Sequence, residues 1–101
     1  MRPGTTKSKT LTLGYQRLAT LYDVNFTDAI KSDDGTEVAN QVLITNITAA
    51  AEVAYGTEMP VVAGHLMATG DSMTMNNQEY IKRAWVRGAA TAVLIITPIF
   101  E

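Results

Sequence analysis

The sequence predicts an all-β fold: a small β-sandwich or jelly roll of six to eight short antiparallel strands, preceded by a flexible N-terminal arm. Three observations support this. Segments rich in Val, Ile, Thr and Met recur between turn signals at Gly56, Gly64, Gly70 and Gly88. No run of ten or more residues combines helical periodicity with capping residues. The chain has 101 residues and is 47% hydrophobic, which fits one domain with its own core.

The N-terminal segment differs in composition from the rest of the chain. Residues 1–9 contain no large apolar residue after Met1, and we predict that they form a flexible basic arm. A single sandwich domain is then expected over residues 10–101. Its first strand is indicated by the alternation of Thr or Gly with Leu or Tyr in residues 10–15. Residues 15–30 are open to two interpretations, a strand to about Ala19 with an irregular connection, or a short helix.

The later strands follow from alternating or β-branched segments separated by turns. Residues 31–40 carry neighbouring Asp and Gly residues, which tolerate turn dihedrals, so this segment is expected to be a loop. The predicted strands after it cover residues 41–47, 51–55, 61–63, 73–75, 80–87 and 90–100.

The last strand, residues 91–100, has an apolar run rather than an alternation. Such a run is typical of a strand that is buried on both faces, whereas a two-sheet sandwich normally buries only one face. The second face is therefore expected to contact a neighbouring subunit. Pro98 predicts that the strand leaves the sheet or lies at its edge there. Ile99 and Phe100 are large apolar residues close to the end, so we expect them to be docked.

The net charge of −2 conceals a strong asymmetry along the chain. Residues 1–17 carry only basic charges, and residues 18–79 carry nine acids against Lys31 alone. A basic arm could lie across an acidic surface of a neighbour, with Arg2, Lys7 and Lys9 as contacts, or it could simply be solvated. The overall charge argues against a nucleic-acid partner. The longest apolar run, residues 92–96, is too short for a membrane span.

The sequence offers no catalytic constellation. There is no cysteine, and His65 is the only histidine, so neither a zinc site nor a nucleophile–base pair is indicated. The acidic residues in the 28–37 segment lack the spacing of a calcium-binding loop. We therefore expect no catalytic residues, no metal and no cofactor, and predict that the protein is not an enzyme.

The alternating residues Ile81, Arg83, Trp85 and Arg87 would share one face of a strand. Trp and Arg are enriched at interface hot spots, so this face could contact another subunit. It could equally stack on a sugar or a base. The third interpretation places Trp85 in the core, with Arg83 at its rim.

Five segments from residue 41 onward carry a family resemblance. They are Val42-Leu43-Ile44-Thr45-Asn46, residues 51–56, residues 66–75 with a Gly70-Asp71-Ser72 turn, Trp85-Val86-Arg87-Gly88, and residues 92–97. Their order resembles that of small β-sandwich virion proteins of tailed bacteriophages.

The resemblance implies a structural virion protein, made in the host cytoplasm, that decorates and cements the capsid shell. A neck, tail or fibre component, or a carbohydrate-recognising module, is the alternative. The implied partners are the major capsid protein or other virion proteins, and a homo-oligomer is expected. The predicted contact residues are Arg2, Lys7, Lys9, Arg83, Trp85, Arg87, Ile99 and Phe100.

Overall fold

The computed structural model describes residues 1–89 and 92–101. These residues contain nine strands and two short helices, joined by turns and loops. The elements in chain order are β1 (Arg2–Pro3), β2 (Lys7–Thr10), β3 (Gln16–Arg17), α1 (Leu18–Tyr22), β4 (Gln41–Asn46), β5 (Ala51–Tyr55), β6 (His65–Met67), β7 (Ser72–Met75), α2 (Gln78–Arg83), β8 (Ala84–Gly88) and β9 (Val93–Phe100). Residues 90 and 91, at the start of the predicted last strand, lie outside the described residues.

The strands form two antiparallel sheets. In sheet I, β9 pairs with β1 and β2 on one side and with β4 on the other, and β7 pairs with the far side of β4. Sheet II has the order β3–β8–β5–β6. The predicted all-β sandwich is therefore confirmed. Because every pairing is antiparallel, each strand can bury one face and expose the other.

The core lies between the two sheets and is built from alternate residues of each strand. Leu94 and Ile96 of β9 are fully buried, as are Val42 and Ile44 of β4. Sheet II contributes Ala51, Val53, Ala84 and Val86 from its own inner face. Burying each large aliphatic side chain stabilises the fold by roughly 1.5–3 kcal/mol. This shared core fixes which residues of each sheet point outward.

The prediction of a flexible arm over residues 1–9 is wrong, because this segment supplies two strands of sheet I. Lys7 lies opposite Ile96 and Lys9 opposite Leu94, so both lysines are on the inner side at the edge of the sandwich. Two forces hold the segment. Its backbone pairs with the edge of β9 that would otherwise be open, and its charges meet the chain's own acidic segment, with Arg2 paired to Glu37.

Strand β9 is central in sheet I, so the prediction that it lies at an edge near Pro98 is wrong. The carbonyl of Pro98 accepts a hydrogen bond from the backbone N–H of Gly4 at 2.7 Å. Leu94 and Ile96 face the core, whereas Ile95 and Ile99 point outward and are half-buried. Burial therefore alternates along the apolar run, although both faces of the strand carry aliphatic residues.

Three predicted strands differ from the structure. The strand expected over residues 10–15 lies earlier, as β2. Residues 61–63 form no strand and belong to a loop. The first half of the predicted strand over residues 80–87 is helix α2, which begins because Asn77 Oδ1 accepts a hydrogen bond from the backbone N–H of Tyr80 at 3.0 Å. For residues 15–30 the sequence allowed either a strand or a short helix, and the structure shows the short strand β3 followed by helix α1.

Candidate subunit interface

The outer face of sheet II carries two of the predicted contact residues, Trp85 and Arg87. They alternate along β8 with Ala84 and Val86, which face the core. Trp85 is buried, as the third interpretation expected, but on the outer side of sheet II; the outward orientation that this interpretation implied for Ala84 and Val86 is wrong. Ile81 and Arg83 belong to helix α2, so the predicted four-residue strand face does not exist.

Trp85 is covered although it points outward. The guanidinium carbon of Arg17 lies 4.5 Å from the centre of the Trp85 ring, and the side chain is only 8% exposed. The Trp85 indole N–H donates to the backbone carbonyl of Gly56 at 3.0 Å. A ring covered in this way presents no open surface for stacking on a sugar or base. Trp85 instead acts as a support for the segment that follows Gly56.

Arg87 lies beside Trp85 on the same face, at the centre of a polar cluster. Its guanidinium is 3.0 Å from a carboxylate oxygen of Glu52 and 4.3 Å from the centre of the Tyr15 ring. The Glu52 carboxylate also accepts a hydrogen bond from the backbone N–H of Gly64 at 2.9 Å. The Tyr15 hydroxyl donates to the carbonyl of Val62 at 2.9 Å. This cluster therefore attaches the sheet to residues 62–64.

These contacts fasten both ends of the loop over residues 56–64. Arg17 donates to the carbonyl of Thr57 at 2.9 Å, next to the Trp85–Gly56 contact. At the other end, a Cβ on Gly64 would lie 2.5 Å from the carbonyl oxygen of Val53, so only glycine allows this approach. Side chains from β3, β5 and β8 thus hold the loop against sheet II.

The fastened loop presents aliphatic side chains to solvent. Val61 is 95% exposed, and Met59 and Val62 beside it are also exposed. Leu13 and Leu66 are exposed as well, and they line one shallow depression together with Glu52 and Arg87. We call these five aliphatic residues, Leu13, Met59, Val61, Val62 and Leu66, the loop platform.

The loop platform has the properties of a binding surface. Grouped exposed apolar residues with polar groups among them are typical of sites that contact another macromolecule. Because the loop is already fixed by hydrogen bonds, less conformational entropy is lost when a partner covers it. The Arg87–Glu52 pair supplies charges that can orient a partner.

The other predicted contact residues are not brought to this surface. Arg2, Lys7 and Lys9 lie at the edge of sheet I, where the Lys7 ammonium is 3.5 Å from Asp23 and 4.3 Å from the centre of the Tyr22 ring. Arg83 ends helix α2, 3.7 Å from Glu79. The remaining two are Ile99, half-buried on the outer face of sheet I, and Phe100, which is 3% exposed. Phe100 is docked as expected, but in the core of its own chain.

In the acidic loop over residues 31–40, the Asp34 carboxylate accepts hydrogen bonds from hydroxyl and backbone N–H groups of the same loop. Asp34 Oδ1 accepts hydrogen bonds from Ser32 Oγ at 2.6 Å, from Thr36 Oγ1 at 2.7 Å and from the Thr36 backbone N–H at 3.0 Å. These donors lower the pKa of Asp34 to about 2. Among residues 1–89 and 92–101, no group of three His, Cys, Asp or Glu side chains is placed to hold a metal ion. Neither described helix has the length and apolar character that a membrane span requires.

Acid should loosen the loop platform. The hydrogen bond from Arg87, followed by that from the Gly64 N–H, lowers the pKa of Glu52 below the ordinary value of a glutamate. A carboxyl whose pKa is lower in the folded state stabilises the fold above its unfolded pKa of about 4, and this contribution is lost as the pH falls through the folded pKa. We expect the melting temperature of the wild-type protein to fall between about pH 4 and pH 2.

The control for this prediction is Glu52→Gln, measured by thermal unfolding across the same pH range. The variant should be less stable at pH 7 and should lose less stability in acid, since it has no carboxylate to protonate. Asp34 and Asp23, whose pKa values are also lowered, remain in both proteins and account for the loss that persists. Identical pH profiles for the two proteins would contradict the role of Glu52.

Comparison with known proteins gave no match to a protein-family model, to a curated protein or to a solved structure.

Proposed function

We propose that this protein is a structural virion protein that binds the capsid shell as a decoration or cement protein, using the loop platform as its contact surface. The observation that carries the proposal is the set of exposed aliphatic side chains on, before and after a loop that is fastened at both ends. The resemblance of the segments from residue 41 onward to phage virion proteins supplies the class of partner, the major capsid protein. The protein would then be located in the virion.

A shell offers many identical sites, so each copy needs only a modest contact. A surface as small as the loop platform binds weakly by itself, and many copies acting on one shell stabilise it together. A small sandwich with a fixed aliphatic surface suits that task. Val61 is the most exposed side chain of the loop platform, so it has the largest fraction of its surface available for a partner to cover.

The Val61→Asp variant tests the proposal, because it places a charge at the most exposed point of the loop platform. We expect its affinity for shells assembled from the major capsid protein of the same genome to fall at least tenfold, since burying one valine contributes about 1.5–3 kcal/mol. Co-sedimentation of purified protein with shells measures the affinity. Circular dichroism establishes that the variant is folded.

The matched control is Val24→Asp. Val24 is also largely exposed but lies in the loop after α1, outside the loop platform. It should bind shells as the wild-type protein does. Failure of the wild-type protein to bind shells would overturn the proposal, and binding to isolated tails or necks instead would identify a different virion position. Equal binding by both variants would show that the loop platform is not the contact surface.

A further inference from the structure

The outer face of sheet I has an unusual composition for an exposed surface. Strand alternation and burial identify its side chains, because the residues between them face the core. On β2, β4, β7 and β9 the outward residues are Ser8, Thr10, Gln41, Leu43, Thr45, Ser72, Thr74, Val93, Ile95, Thr97 and Ile99. None of these eleven side chains, all of them described, is ionisable. We call this group the neutral face.

The charges of the same strands lie elsewhere. In β2, Lys7 and Lys9 are opposite the core-facing Ile96 and Leu94, which leaves only Ser8 and Thr10 on the outer side. In β4 and β7, the register pairs Leu43 with Thr74 and Thr45 with Ser72. The neutral face is therefore continuous across β2, β9, β4 and β7, with aliphatic residues mainly on β9 and hydroxyl residues on all four strands.

Three of the six hydroxyl groups of the neutral face have hydroxyl partners in sheet I or next to it. Thr45 Oγ1 and Ser72 Oγ are 2.9 Å apart, and Thr97 Oγ1 lies 2.8 Å from Oγ1 of Thr6, next to β2. Each such pair keeps one hydrogen bond when another surface covers it, and its second hydroxyl hydrogen can donate to a hydroxyl of that surface. The aliphatic side chains also gain from being covered, and Leu43, which is 37% exposed, has the most surface to bury. The neutral face can therefore lose its water at little cost.

These observations favour one occupant. We propose that the neutral face is the self-association surface of this protein, on which a second copy packs its own neutral face about a two-fold axis. A two-fold contact requires a surface that complements itself. A hydroxyl group both donates and accepts, aliphatic residues complement aliphatic residues, and a face without ionisable groups brings no like charges together. The outer face of sheet II lacks this property, since it carries Arg17, Arg87 and Glu52.

The size of the neutral face predicts how strong the contact is. At about 3.3 Å per residue and 4.8 Å between strands, the strands of sheet I present about 400 Å² of flat surface. Two copies would therefore bury about 800 Å², which is below the standard size of a stable interface. We infer a dimer that dissociates at micromolar concentration. This inference goes beyond the proposed function, because it concerns a different face and a different partner.

Sedimentation velocity over a concentration series tests the inference. The wild-type protein should shift from monomer to dimer as its concentration rises, and its dissociation constant should change less than twofold between 0.05 and 0.5 M NaCl, because no charges meet at the contact. The Leu43→Lys variant should weaken the dimer at least tenfold, since the symmetry brings two lysines into one interface. Leu66→Lys, on the outer face of sheet II, is the matched control and should dimerise as wild type.

A second measurement covers the case in which Leu43→Lys does not fold. The chain has no cysteine, so a single cysteine introduced by Thr45→Cys can report the contact. Under mild oxidation we expect rapid disulfide-linked dimers from Thr45→Cys and not from Val24→Cys. A wild-type protein that stays monomeric at 500 μM, about five-hundredfold above a dissociation constant of 1 μM, would overturn the inference. A dimer disrupted by Leu66→Lys rather than Leu43→Lys would also overturn it.

The two proposals fail separately. A monomeric protein that still binds shells removes the self-association and leaves the capsid function intact. A protein that dimerises but does not bind shells removes the capsid function and leaves the self-association intact. The Leu43→Lys variant should bind shells as the wild-type protein does, because the two loop platforms of the proposed dimer point away from each other and only one of them can contact a shell.

Discussion

Replacing Asn46 with aspartate should lower the free energy of unfolding at pH 7 by about 3 kcal/mol or more, enough to unfold much of a small domain. Asn46 ends β4 and has no exposed surface. Its side-chain nitrogen donates to the carbonyl of Met67 at 2.8 Å and also to the carbonyl of Ala49. One amide thus joins sheet I, the turn after β4 and strand β6 of sheet II. A carboxylate in the same place would donate nothing and would repel both carbonyl oxygens.

The conditions of the Asn46→Asp measurement separate charge from the lost hydrogen bonds. Urea unfolding of the wild-type and variant proteins should show a smaller difference at pH 4 than at pH 7, because a protonated carboxyl group can donate one hydrogen bond. Asn46→Ala is the control for the hydrogen bonds alone. It should cost about 2–3 kcal/mol at both pH values, because two buried carbonyls lose a donor.

The role assigned to Asn46 can be contradicted in two ways. Wild-type stability of Asn46→Asp at pH 7 would mean that the two carbonyls have other donors. A pH-independent loss in Asn46→Asp equal to that of Asn46→Ala would mean that the charge itself has no effect. In the expected case, Asn46 is the polar link that fixes how the two sheets meet at this corner.

Local sequence patterns predicted the strands whose burial is regular. The Val42 and Ile44 alternation in β4 and the apolar residues of β9 each follow from residue types within a few positions. The expectation that residues 51–55 pair back on β4 as a hairpin is wrong, because β4 lies in sheet I and β5 in sheet II. The N-terminal segment could not be assigned in this way. Its strands depend on pairing with β9, at the other end of the chain, and nothing in residues 1–9 specifies that partner.

Helix α2 was missed because two local patterns compete in the same residues. Alternation of Ile81, Arg83, Trp85 and Arg87 indicates a strand, while Asn77 as a cap and the Glu79–Arg83 spacing indicate a helix. The structure uses the helical pattern first and the strand pattern only from Ala84 onward. Alternation over four positions that include charged residues is therefore a weak signal beside an Asn cap.

The candidate site was only partly predictable. Trp85 and Arg87 were recognised by residue type, and they do lie on one outer face. The loop platform was missed, because its shape depends on Tyr15 and Arg17, at β3, and on Glu52, in β5, which are far apart in the sequence. The available signal was the run Pro60-Val61-Val62 between two glycines, which was interpreted as a strand although its aliphatic residues are exposed.

Trp85→Ala should produce the second large effect, a loss of about 3 kcal/mol in the free energy of unfolding. The change removes the ring that Arg17 covers and the indole N–H that donates to Gly56. Trp85→Phe is the control, since it retains a ring beneath Arg17 and loses the hydrogen bond, and it should cost about 1 kcal/mol. Urea unfolding followed by circular dichroism measures both variants, because the chain has no other tryptophan to serve as a fluorescent probe.

The Trp85 variants also test how the loop platform is held. If Trp85 fastens the start of the loop, thermolysin should cleave near Met59 and Val61 faster in folded Trp85→Ala than in the wild-type protein. Shell binding should then weaken although every platform residue is unchanged, since a loosened loop must be ordered again on docking. A Trp85→Ala protein that keeps wild-type cleavage and wild-type docking would show that Glu52, Tyr15 and Arg17 hold the loop without it. Trp85 would then contribute to stability alone.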